Sequence, residues 1–205
     1  MRNYHREGFD RSTMSGDAWQ CLKQMIGTTD GNKHKQYYRW EQLFPQMSRD
    51  LDSRCRKAYF GGQNFSANKG VNRTGRDGEP IFHEDVHNMY GGVDYNDRLP
   101  VGMPLLTSKK PVDPDAIYIR ECRVKMFLKQ DMPPVFQFKN GIDNILEGWE
   151  HGTLVTDCKE WHDMSLTNID IETYSKFYDF VFDTSYHEQY LVFKWKVGVL
   201  KPYLD

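Results

Sequence analysis

The residues with the most chemical potential run from Glu79 to Tyr90, read as Glu-Pro-Ile-Phe-His-Glu-Asp-Val-His-Asn-Met-Tyr. Two readings compete there. His83-Glu84-Asp85-Val86-His87 spells H-E-x-x-H, the pattern in which two histidines hold one Zn²⁺ and the glutamate serves as a general base, as in a zinc metalloprotease. That chemistry needs a helix, where side chains four apart share a face. On a strand the two imidazoles would stand about 13 Å apart, at roughly 3.3 Å per residue, and one metal could not reach both. Ile81 and Phe82 before the motif, and Gly91-Gly92 after it, predict a strand and then a turn. Position 90, where a longer zinc motif of this kind has a glycine, holds Tyr90. The second reading takes Asp85, at the end of a strand, as the functional residue, with Tyr90 five positions on.

A second feature is positive charge. Residues 49–76 carry Arg49, Arg54, Arg56, Lys57, Lys69, Arg73 and Arg76 against only Asp50 and Asp52, a local surplus of five in a chain of net charge −2. Such a surplus suits a phosphate backbone, although a solvated basic face has the same composition. Residues 105–205 go the other way, with 16 acidic and 12 basic side chains. An acidic surface repels DNA and suits a basic protein partner. The four cysteines, Cys21, Cys55, Cys122 and Cys158, form no C-x-x-C pair, so neither a disulfide framework nor a cysteine zinc site is expected.

The elements that must position these groups can be read from periodicity. In 205 residues with 39% hydrophobic and 14% aromatic content there is enough apolar material for one large domain or two small ones. No apolar run approaches the roughly 18 residues of a membrane span, and the first residues lack a signal-peptide core, so a cytosolic protein is expected. Helices are predicted over 16–26 and 47–58, a loop or hairpin over 64–80, and a strand over 81–86. Ile117 to Leu128 alternates, with Cys122, Val124, Met126 and Leu128 opposite Glu121, Arg123, Lys125 and Phe127, which predicts a half-buried strand. Short strands are expected at 135–138 and 153–156. Asn168 and Asp170 are helix-start residues, and Ile171, Tyr174, Tyr178 and Val181 recur at helical spacing. A last strand should carry Leu191, Phe193, Trp195 and Val197 on one face. The fold class is α+β, with a boundary expected near Asp97 to Leu105.

Several segments, in order, resemble the protein-primed family B DNA polymerases of bacteriophages and linear plasmids. Asp85-Val86-His87-Asn88-Met89-Tyr90 is similar to the D-x-x-S-L-Y-P motif of the polymerase palm. Arg98-Leu99-Pro100-Val101-Gly102-Met103-Pro104 resembles L-P-Y-G-x-P, and Tyr59-Phe60-Gly61-Gly62, behind Arg56-Lys57-Ala58, matches Y-x-G-G. Gly8-Phe9-Asp10-Arg11-Ser12-Thr13 resembles the G-x-D-R-x-T segment that follows the exonuclease domain. Residues 119–139 and 166–193 resemble the first terminal-protein-region insertion, between the palm and the fingers. Asn88 stands where the family has serine, His87 where asparagine is frequent, and Gly91 where it has proline.

The resemblance implies a partial palm over 1–97 and the insertion over 98–205. It also implies two Mg²⁺ ions activating the primer hydroxyl and stabilising the leaving pyrophosphate. Asp85 would be the catalytic carboxylate and, with the Val86 carbonyl, a metal ligand. Val86, Met89 and Tyr90 would meet the incoming nucleotide, with Tyr90 under the sugar. Arg56, Tyr59, Gly61 and Gly62 would meet DNA. The expected partners are DNA, a deoxynucleotide and a priming terminal protein, in the cytoplasm of a bacterial host. Phe182-Asp183-Thr184-Ser185 superficially resembles D-T-D-S, but its second aspartate is absent and it falls inside the insertion, so it is not taken as the partner carboxylate. Exonuclease motifs, fingers, that second carboxylate and a thumb are not found in these residues, and the chain by itself is expected to be inactive. A non-catalytic module that binds DNA or a priming protein is the alternative, and the zinc hydrolase a further one.

Overall fold

The computed structural model describes residues 41–60, 97–138 and 152–199. The helix expected over 16–26, the loop over 64–80 and the strand over 81–86 lie outside them. The described elements are α1 (Arg49–Lys57), β1 (Arg98–Thr107), β2 (Ile117–Leu128), β3 (Asp157–Thr167), α2 (Asn168–Tyr174), β4 (Tyr178–Phe182) and β5 (Gln189–Val197). The five strands form one sheet in the order β1-β5-β2-β3, with β4 also paired to β2. Every pairing is antiparallel. The α+β class expected from the sequence is the class observed.

β2 is the centre of the sheet because its alternation gives it two usable faces. Cys122, Val124 and Met126 are almost fully buried on one face, packed with Phe136, Phe138, Val155, Met164, Leu166 and Tyr178. Ile119, on the other face, packs with Leu191 and Ala58, and Leu51 and Cys55 of α1 lie against them. One edge of β2 takes β3. The other takes β4 along Val124–Leu128 and β5 along Ile117–Glu121. Residues 183–188 therefore interrupt what is otherwise one long antiparallel path beside β2.

The strand expected at 117–128 and the last strand expected through Leu191, Phe193, Trp195 and Val197 are present as β2 and β5, and α1 occupies most of the predicted 47–58 helix. On β5, Leu191 is fully buried, whereas Trp195 and Val197 are 40% and 48% exposed, so the predicted apolar face is only half covered. The segments 135–138 and 153–156 meet through a single bridge, Gln137 to Leu154, with flanking backbone bonds from Phe138 N–H to Thr153 O and from Val155 N–H to Phe136 O.

The helix predicted through Val181 needs correction. α2 starts after Thr167, whose hydroxyl accepts from Asp170 N–H at 3.0 Å while the Asp170 carboxylate accepts from Thr167 N–H. This capping box satisfies the first turn, but the helix stops at Tyr174. Tyr178, Phe180 and Phe182 then alternate along β4 opposite Leu128, Met126 and Val124. A period of two competed with a period of 3.6 over the same aromatics, and cross-strand pairing prevailed. β3 and β1 had not been expected as strands. β1 contains Pro100, Gly102 and Pro104 and shifts register between Val101 and Leu105. Gly102 has φ +75°, which glycine adopts without a steric penalty.

Candidate nucleic-acid interface

The basic stretch begins on α1. Ser48 caps the helix, its hydroxyl accepting from Leu51 N–H at 3.3 Å. Asp50 and Asp52 stand in the first turn and Arg54, Arg56 and Lys57 in the last. Acid at the N-terminus and base at the C-terminus both favour the helix dipole. The same arrangement sets up i,i+4 pairs, Arg54 Nε to Asp50 Oδ2 at 3.1 Å and Arg56 Nε to Asp52 Oδ2 at 2.7 Å.

The basic side chains do not serve one purpose. Arg54 also reaches across to β2, its Nη1 lying 2.8 Å from Glu121 Oε2, with both side chains largely covered. It is a structural tie between helix and sheet, so the surplus counted along the sequence overstates what faces outward. Arg56 and Lys57 are exposed. The Arg56–Asp52 pair is exposed on both sides, and such pairs contribute about 0–1 kcal/mol.

Beyond the helix the chain alternates. Ala58 and Phe60 are each 9% exposed, while Tyr59 between them is 78% exposed. Ala58 sits on Ile119 and Leu191, and Phe60 enters the main core. Covering a ring of that size contributes about 1.5–3 kcal/mol. The result is a tyrosine held out on a packed base, beside two exposed cations. Of the expected DNA contacts, Arg56 and Tyr59 are both exposed, and Tyr59 N–H donates to Arg56 O at 3.0 Å. Gly61 and Gly62 lie outside the described residues. So do Asp85, Val86, Met89 and Tyr90, and the H-E-x-x-H segment from His83 to His87. Among the described residues no three His, Cys, Asp or Glu side chains converge to hold a metal ion, and no described helix is long and apolar enough to cross a membrane.

Asp183 has a local job. Its carboxylate accepts from Ser185 N–H at 2.9 Å and Ser185 Oγ at 2.6 Å, and these bonds hold its pKa below the usual carboxylate range. It closes the turn between β4 and β5. The same loop borders a feature that sequence reasoning missed, a cavity of about 520 Å³ reached by Arg120, Phe182, His187 and Glu188. Arg120 lies 3.6 Å above the Phe182 ring and is paired with Glu188. Glu188 also accepts from Tyr190 Oη at 2.6 Å. Burial, and then that bond, push the Tyr190 phenol up to about 12. No local sequence pattern signals this cluster, because pairing of β2 with β5 is what sets Arg120 opposite Tyr190.

The end of α1 thus presents two exposed cations, Arg56 and Lys57, followed by an exposed tyrosine. Comparison with known proteins supplies the family. Residues 2–205 match the family model described as DNA polymerase type B, organellar and viral, and the chain belongs to that family. Its relatives include the DNA polymerase of Bacillus phage Nf, 27% identical over 202 residues, and that of Bacillus phage phi29, 28% identical over 205. The DNA polymerase of Streptococcus phage Cp-1 is 28% identical over 179 residues, covering 86% of this chain. The chain spans about a third of these relatives, 32% for Nf and phi29 and 30% for Cp-1, while the Nf and phi29 matches cover 98% of it. In fold it is similar to phi29 DNA polymerase complexed with primer-template DNA and incoming nucleotide, with a TM-score of 0.72 at 24% identity, over 99% of this chain and 33% of that one.

Proposed function

We propose that this chain is the part of a protein-primed DNA-directed DNA polymerase that carries one half of the palm active site and the insertion after it. The observation that carries the reading is Tyr59, 78% exposed on a base of buried Ala58 and Phe60, in a chain whose family match runs from residue 2 to residue 205. In this reading Arg56 and Tyr59, with Gly61 and Gly62, contact the DNA backbone and fix its position without reading sequence. Asp85 and the Val86 carbonyl hold divalent metal, taken as Mg²⁺. When bound, the metal lowers the barrier to nucleotidyl transfer by stabilising the attacking and leaving oxygens. Met89 and Tyr90 orient the incoming nucleotide, and Tyr90 excludes a ribose 2′-hydroxyl. Residues 98–205 form the unit that meets a basic priming protein, and the whole works in the cytoplasm of a bacterial host.

Primer extension tests the proposal. The 205-residue chain by itself is expected not to extend a primer with Mg²⁺ or Mn²⁺, because Asp85 alone supplies one of the two carboxylates that the reaction needs. Extension that is abolished by Asp85→Ala would show that a second carboxylate is recruited from within these residues, and would overturn that half of the reading.

A further inference from the structure

Tyr59 has little to hold it in place. Its phenol meets no hydrogen-bond partner among the described residues, and its ring is exposed. Its backbone follows the last turn of α1, with Ala58 N–H donating to Cys55 O at 3.2 Å and Tyr59 N–H to Arg56 O at 3.0 Å. What fixes the direction of the chain here is the next residue. The Phe60 ring meets Phe136 edge-on, with centroids 5.2 Å apart, and Phe136 in turn meets Tyr174 of α2 at 5.0 Å.

Phe136 is a firm support because its backbone is bonded on both sides. Its N–H donates to Tyr178 Oη at 3.1 Å, and its carbonyl accepts from Val155 N–H at 2.9 Å. Tyr178 Oη also accepts from Val135 N–H and donates to Val155 O. The ring that receives Phe60 thus belongs to a cluster built wholly from the second half of the chain.

We infer that Phe60 is a positioning residue: by seating against Phe136 it aims Tyr59 at DNA, so the sheet of the second half holds the DNA-facing motif of the first. The inference rests on the reading of Tyr59 as a DNA contact. Phe60 touches no DNA itself and acts through Tyr59. Edge-to-face ring packing is directional, so an aliphatic side chain of similar size fills the space without fixing the angle equally well.

The test is a double-mutant cycle on the full 205-residue chain, measuring affinity for a primer-template duplex by fluorescence anisotropy. Tyr59→Ala and Phe60→Ala should each weaken binding about tenfold, Phe60→Leu should weaken it less, and the double variant should bind no worse than Tyr59→Ala. Additive losses, or unchanged affinity in Phe60→Ala, would overturn the inference. Amide exchange without DNA separates this from the DNA reading. In Phe60→Ala the Ala58 and Tyr59 amides should exchange faster relative to the β2 and β5 amides. If they do so while Tyr59→Ala binds DNA normally, the positioning stands and the DNA reading fails. If they only keep pace with the sheet, Phe60 is ordinary core and the inference fails.

Discussion

Replacing Tyr178 by phenylalanine removes one oxygen and breaks three hydrogen bonds. The ring is 1% exposed, and its hydroxyl accepts from Val135 N–H at 3.0 Å and Phe136 N–H at 3.1 Å while donating to Val155 O at 2.7 Å. The apolar contacts of the ring survive the change, so the whole effect falls on polar groups. Phe136 N–H is left buried without a partner, at about 1–3 kcal/mol. Val135 is only half covered, and water can reach its N–H at smaller loss. Losing the donor to Val155 adds about 1 kcal/mol. The expected total is about 2–4 kcal/mol, which for a chain of this size lowers Tm by roughly 4–16 °C. Urea unfolding followed by tryptophan fluorescence reads the difference as a shift in midpoint at constant slope. A loss below about 0.5 kcal/mol, the size of an ordinary surface change, would refute the reasoning and mean that residues 135–136 and 155 are not organised around this oxygen.

Three further outcomes follow from the same packing. Burial pushes the Cys122 thiol up to about 12 and Cys158 to about 11, from an ordinary value of 9.0, so neither should react readily with a thiol reagent at pH 8 until the chain is unfolded. Above pH 9 the unfolded chain ionises these thiols while the folded chain keeps its protons, so stability should fall as pH rises from about 9 to about 12, as read by midpoint against pH. Residues 98–205 alone should unfold cooperatively but at lower urea than the full chain, because they lose Ala58 and Phe60 from two buried clusters. A molten product would defeat the idea that this half is a unit.

β2 was legible because polar and apolar residues alternate from Glu121 to Met126, and α1 because Ser48, the early aspartates and the late basic residues mark its two ends. β3 hid behind Lys159, Glu160 and Asp163, all exposed. Its pairing with β2 also shifts register between Val124 and Met126, which breaks the period that a reader would count. β4 was masked by aromatics whose spacing fits a helix as well as a strand. At the candidate interface, Tyr59 and Arg56 came from the family resemblance, and the surplus of positive charge pointed to the same stretch of chain. Their support did not: Phe60 finds Phe136 only once the chain has folded, and Arg54 looks like a DNA contact until Glu121 comes up beside it.

The central claim is that the end of α1 and Tyr59 face DNA. The most direct test is the salt dependence of duplex binding by the full chain and by a variant carrying Arg56→Ala and Lys57→Ala. Each lost phosphate contact flattens the slope of log affinity against log salt by roughly 0.9, so the double variant should bind more weakly, with a slope shallower by about 2. Binding by the unchanged chain that ignores salt, or a variant that keeps the original slope and affinity, would contradict the account.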